Sequence, residues 1–195
     1  DMAVGAPCDS DGGSGGAGAV HLIVLDSNGP GGTMPEIYNP HGGLASCYTL
    51  DSGDQFGSSL AAIGDLNSDG IADLAVGDHS DNDGSTSAGA LYILFMTANV
   101  TVGGAQKISN SEGGFAAHYT LAYGDTFGSS VASIGDLDGD GISELVVGAS
   151  SGLTSCSDDH MGAVYVLFMT TSGTASAVQK ISNFDGGLSA HYTVG

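Results

Sequence analysis

The stretch SGDQFGSSLAAIGDLNSDG, Ser52 to Gly70, returns as YGDTFGSSVASIGDLDGDG, Tyr123 to Gly141, about 71 residues later. GALYILFM, from Gly89, returns as GAVYVLFM from Gly162, and QKISN at Gln106 returns at Gln179. The chain also opens on DMAVGA, a counterpart of DLAVGD at Asp73. A period close to 72 residues, with small insertions, means an array of one supersecondary unit, stacked or circular. A single sandwich with chance self-similarity does not account for agreement over so long a run.

Each unit reads as four strands. SSVASIG, SELVVGA, GAVYVLFM and AVQKISN are short, rich in β-branched and aromatic residues, and bounded by Gly, Asp, Ser or Asn, the fourth being the weakest. No stretch carries helical periodicity with caps. The fold class is therefore all-β, built of four-stranded antiparallel propeller-type blades. About 2.7 units fit in the 195 residues.

Charge narrows the function. The chain has 22 Asp and Glu against two lysines, Lys107 and Lys180, for a formal charge of -20. Nothing here can neutralise a phosphate backbone, so nucleic acid is excluded as a partner. An anionic membrane surface is equally unsuited, and the longest apolar runs, such as ALYILFM, are too short to insert in a bilayer. No leader is visible and the chain starts in mid-pattern, which is expected of a mature chain or a fragment. Cys8, Cys47 and Cys156 fit no metal or redox spacing; one disulfide with one thiol left over is possible, with the pair unassigned.

The acids gather in two turns. In the first, Asp65, Asn67 and Asp69 occupy alternate positions, Gly70 permits a sharp turn, Ile71 can offer its carbonyl, and Asp73 follows. In the second the set is Asp136, Asp138, Asp140, Gly141, Ile142 and Glu144. Oxygen donors on alternate residues of a tight turn wrap one side of a hard cation, and Ca2+ tolerates the loose geometry better than Mg2+. No His or Cys lies inside either turn, which disfavours transition metals. An EF-hand is excluded, because Val76 and Val147 stand where its last carboxylate belongs and no helices flank the turns. Asp1 is the ninth position of a third such turn. The simpler reading, Asp-Gly turns that merely end strands, leaves their carboxylates to repel one another.

Together, DTFGSSVASIGDLDGDGISELVVGAS and GAVYVLFM resemble the FG-GAP repeat of integrin α-subunit propellers, and the tandem FG-GAP proteins of microbes more closely still. The Phe-Gly pairs are Phe56-Gly57 and Phe127-Gly128. The Gly-Ala element is Gly5-Ala6 and Gly148-Ala149, but Gly77-Asp78 in the middle copy. The resemblance implies strand–loop–strand calcium sites at the two acidic turns. It divides the chain into a partial blade over 1–50 (strands two to four and a connection), a complete blade over 51–121, and a blade with the start of the next connection over 122–195. The units are longer than integrin blades, the additions falling in Ser109 to Asp125 and in the variable loops. The expectation is a chain unable to close a ring alone, completed by further FG-GAP blades or by copies of itself as an oligomer or filament.

In such a meander the acidic turns share one edge. The variable segments Ala6–Ala17, Asp78–Ala88 and Ala149–Met161 share the other, with the long connections. By resemblance to integrins, that second edge faces a protein or glycan ligand. It carries Asp9, Asp11, Asp81, Asp83, Asp158, Asp159 and His160, with His118 and His191 repeat-equivalent. These read as solvated loop residues and structural His-Tyr pairs, a second metal site being the alternative. Asn99-Val100-Thr101 is a glycosylation sequon. FGSSV is no nucleophile elbow, and the carboxylates are better used as ligands than as acid and base. The expected function is a non-enzymatic, calcium-stabilised extracellular or cell-surface scaffold or adhesion protein, open to forming fibres. The alternative is a ligand- or glycan-binding propeller module beside a catalytic domain elsewhere in the parent chain.

Overall fold

The computed structural model describes residues 1–10, 15–27, 29–31, 35–150, 162–182 and 185–186. The described chain is all-β. Strands β1 (Met2–Ala6), β2 (Ala19–Ile23) and β5 (Glu36–Ile37) form a three-stranded sheet, beside which β3 (Leu25–Asp26) and β4 (Gly29–Pro30) make a small hairpin. The middle sheet is β6 (Ser59–Gly64), β7 (Asp73–Asp78), β8 (Ala90–Met96) and β9 (Val102–Ile108). The last is β10 (Phe127–Gly135), β11 (Glu144–Ala149), β12 (Ala163–Met169) and β13 (Ala175–Ile181).

In the two four-stranded sheets every neighbour is antiparallel and next in sequence, so both are simple meanders. Register repeats as well: Tyr92 faces Val76 and Lys107, and Tyr165 faces Val147 and Lys180. The irregularities fall at matching places, between Ala62 and Gly64 and between Ser133 and Gly135. The fourth strand is stronger than its sequence suggests. It pairs along its length in the middle and last sheets, beginning at Val102 and Ala175. In the first sheet it shrinks to Glu36–Ile37.

Burial explains the strand compositions. The β8 run ALYILFM is buried at every position except Phe95, because both faces of the middle sheet are covered. Tyr92 and Leu94 enter a core with Val20, Leu22, Ile37 and Leu44 of the first unit. Leu91 and Ile93 enter another with Leu145, Val147, Tyr165 and Leu167 of the last. The equivalent strand β12 alternates, its Val164 being exposed.

Adjacent sheets meet backbone to backbone. Phe56 and Phe127 are fully buried, and their amides donate to Ala17 O (3.1 Å) and Ala88 O (2.9 Å) of the preceding unit. The following glycines, Gly57 and Gly128, adopt left-handed φ of 92° and 87°. A Cβ on Gly5 would lie 1.9 Å from Gly57 O, and one on Gly77 would lie 2.0 Å from Gly128 O. Ser59 Oγ donates to Gly128 O at 2.7 Å across the same joint.

The long connections are structural elements. Each contains a 3-10 turn, Leu44–Ser46 and Phe115–Ala117, that lays one aromatic or aliphatic side chain into the next inter-sheet core. Phe115 is fully buried, 4.9 Å from Phe127 and 5.2 Å from Tyr165 between ring centroids. Tyr48 OH accepts from Lys107 N (3.1 Å) and Tyr119 OH from Lys180 N (3.4 Å), so each connection clasps the fourth strand of the following sheet. Cys8 and Cys47 are free and exposed, and Cys156 lies outside the described residues. Among the described residues no helix is long and apolar enough to cross a membrane.

Candidate metal centre

The two acidic turns join β6 to β7 and β10 to β11, at the same end of their sheets. Their side chains first build the turn itself. Asp65 Oδ1 accepts from Asp69 N (2.9 Å) and its Oδ2 from Gly70 N (2.8 Å); Asp69 Oδ1 accepts from Ile71 N (2.9 Å). Asn67 Oδ1 accepts from Asp69 N, and Asn67 Nδ2 donates to Asp69 Oδ2, both at 3.0 Å. In the second turn Asp136 accepts from Gly139 N (2.6 Å) and Gly141 N (2.9 Å), Asp138 from Asp140 N (3.1 Å), and Asp140 from Ile142 N (2.8 Å). These bonds fix the shape of each turn and the orientation of its carboxylates.

The ninth positions differ. Asp73 is fully buried and both oxygens are engaged: Oδ2 accepts from Leu66 N and Oδ1 from Met96 N of β8, each at 3.0 Å. Burial raises its pKa. Asp1 repeats the second contact, its Oδ1 accepting from Leu25 N at 2.9 Å. Glu144 is also fully buried, and Oε2 accepts from Leu137 N, but Oε1 has no hydrogen-bond partner among the described residues. One oxygen each of Asp136, Asp138 and Glu144 lie within 4.8 Å of one another. A buried carboxylate oxygen without a donor is costly, and a hard cation among these three would satisfy it. Asp65, Asp69 and Asp73 do not converge so closely, although each retains lone pairs on its oxygens.

The opposite end holds residues that sequence read as solvated. Asp81 is only 3% exposed and stands with buried Asp54 and Asp78, one oxygen of each within 4.8 Å of the others. The loop is not fluid there; Lys107 Nζ lies 2.8 Å from Asp81 Oδ2 and 3.6 Å from Asp83 Oδ2. The sequence signal was Asp78 itself, a carboxylate in the position that Ala6 and Ala149 fill. Asp9 meets His21 Nε2 at 3.6 Å, and His118 is exposed. Asp11, Asp158, Asp159, His160 and His191 lie outside the described residues.

Residues 56–94 and 127–167 match the family model of the FG-GAP repeat. Both four-stranded sheets are FG-GAP repeats. The chain is 38% identical over 96 residues to integrin alpha-2 of Mus musculus, covering 49% of this chain and 8% of that protein. It is 31% identical over 147 residues to integrin alpha-5 of Xenopus laevis, 71% of this chain and 12% of the relative. Integrin alpha pat-2 of Caenorhabditis briggsae is 39% identical over 100 residues, 51% and 8% respectively. The FG-GAP signature has a direct physical basis here. Its Phe fills the space between sheets, and its Gly lets the main chain abut the glycine of the preceding unit's Gly-Ala element.

Proposed function

We propose that this chain is a non-enzymatic, cation-braced FG-GAP scaffold of the extracellular or cell-surface space, acting in adhesion. Its similarity to integrin alpha subunits supports the adhesive setting. The observation that carries the brace is the partnerless, buried Oε1 of Glu144 beside Asp136 and Asp138.

Asp136, Asp138, Asp140, Glu144 and the carbonyl of Ile142 would hold one Ca2+; Asp65, Asn67, Asp69, Asp73 and the carbonyl of Ile71 would hold another. A bound ion supplies positive charge to a chain of net charge -20 and closes the turn around its oxygens. The protein's own part is to hold the turn carboxylates by backbone N–H bonds and to seat the ninth residue, buried, as the first residue of β7 or β11. Asp73 extends that grip to β8 through Met96 N. The edge bearing the β7–β8 and β11–β12 connections is left for a protein or glycan ligand. Further FG-GAP blades or copies of this chain, in a ring or a filament, cover the sheets' open faces.

Chelation tests the reading. Calcium-loaded protein treated with EDTA should lose several degrees of melting temperature, on the order of 2 kcal/mol of linkage. Glu144→Gln should shrink that loss without unfolding the chain. An unchanged melting curve after full chelation rules the brace out. Negative-stain electron microscopy separates rings of fixed diameter from filaments with an axial repeat.

A further inference from the structure

We infer that Asp54, Asp78 and Asp81 form a separate binding site for a hard divalent cation, at the end of the middle sheet opposite its acidic turn. The three come from the segment before β6, the end of β7 and the β7–β8 connection, so one ion there would tie three pieces of chain. They are 4%, 0% and 3% exposed, and one oxygen from each falls within 4.8 Å of the others.

A second observation points to a ligand. Asp78 Oδ1 accepts from Gln55 N (2.9 Å) and Ser80 N (3.2 Å), while Oδ2, equally buried, has no partner among the described residues. The remaining oxygens are oriented by neighbours. Asp54 Oδ2 accepts from Asp51 N (2.7 Å), Asp81 Oδ1 from Asp83 N (2.8 Å), and Asp81 Oδ2 from Tyr92 OH (3.0 Å). Lys107 neutralises the Asp81 and Asp83 side, and among the described residues no base lies within ion-pair distance of Asp54 or Asp78. Burial and mutual repulsion accordingly push Asp54 up to about 6 and Asp78 to about 7.

An uncompensated buried carboxylate is expensive. The repeat supplies the comparison: Ala6 and Ala149 occupy the position of Asp78, so the fold does not require an acid there. All the donors are oxygens, which selects Ca2+ or a similar hard ion over Zn2+ or Cu2+. A cavity of about 260 Å³, lined by Asp54, Asp81, Asp83, Tyr92, Lys107 and Glu112, adjoins the site.

Calcium binding to the metal-stripped full chain, followed by isothermal titration, tests this directly. Parent, Asp78→Ala and Asp78→Asn are compared with Asp65→Ala and Asp136→Ala. The expected result is that both Asp78 variants lose one ion per chain, or bind it roughly tenfold or more weakly, while the turn variants retain it. If Asp78→Ala fails to fold, Asp78→Asn decides, since its amide oxygen can keep the bonds from Gln55 and Ser80. Equal stoichiometry and affinity in parent and folded Asp78 variants overturns the inference. So does a carboxylic-acid infrared band in calcium-saturated parent that Asp78→Asn lacks, because a proton then occupies the position. Failure of the turn sites is read separately, from Asp65→Ala and Asp136→Ala.

Discussion

The middle and last sheets have nearly the same sequence and strand register but different surroundings. Leu66 and Leu137 occupy the same place in their acidic turns; Leu66 is 4% exposed beneath the neighbouring sheet and Leu137 is 61% exposed. Ile63 and Ile134 repeat the contrast. What a residue contributes in a repeat is thus set by whether a neighbour covers it, and identical motifs carry unequal energy. The acids follow a different rule. Asp78 replaces an alanine, Glu144 replaces an aspartate, and both changes leave a buried oxygen unpaired. Coverage separates the apolar positions, whereas the choice of residue separates the charged ones.

The contrast is sharpest at the glycines. Gly77→Ala would drive a Cβ into Gly128 O of the next sheet and should cost about 3 kcal/mol or more. In the 195-residue chain as a monomer, Gly148→Ala meets chiefly the rotatable Ser130 Oγ, at 2.3 Å, and should cost less than about 1 kcal/mol. Equal losses in urea denaturation would break the view that only covered units feel the joint. Next comes Leu66→Ala, which should cost about 2 to 3 kcal/mol. In the 195-residue chain as a monomer, with no further blade over the last sheet, Leu137→Ala should stay within about 0.5 kcal/mol.

A third effect concerns charge. With chelator present, Asp78 has its folded pKa raised from 3.8 to about 7, so it adds stability at low pH that is lost as pH rises through about 7. Asn at this position has nothing to titrate. The melting temperature of parent relative to Asp78→Asn should therefore fall between pH 4 and 7, and saturating Ca2+ should abolish the fall. The smallest effect is local. Ser68 sits at φ 64° where the second turn has Gly139 at φ 86°, so Ser68→Gly should stabilise by about 1 kcal/mol. Thermal denaturation of the calcium-loaded pair measures it.

The period and the runs of Val, Ile and Leu made the meanders readable, because strand order in an up-and-down sheet follows chain order. The acidic turns were readable from spacing alone. The role of the Ser109 to Asp125 connection was not, since Phe115 and Tyr119 act on the next unit, and local pattern says nothing of contacts sixty residues away. Asp78 showed in the sequence as a break from Gly-Ala, yet its burial depends on Asp54 and Asp81 arriving from other segments. The fourth strand looked weak because its glycines and polar residues lack β propensity; pairing with β8 and β12 supplies what propensity does not.

The glycine-on-glycine joint has a consequence for how such chains grow. The closest approach is main chain against main chain, with only the repeated serine, Ser59 or Ser130, at its edge, so a newly copied unit inherits a compatible neighbour without any compensating mutation. Duplication can then lengthen the array immediately, leaving drift to explore only the ends of each sheet.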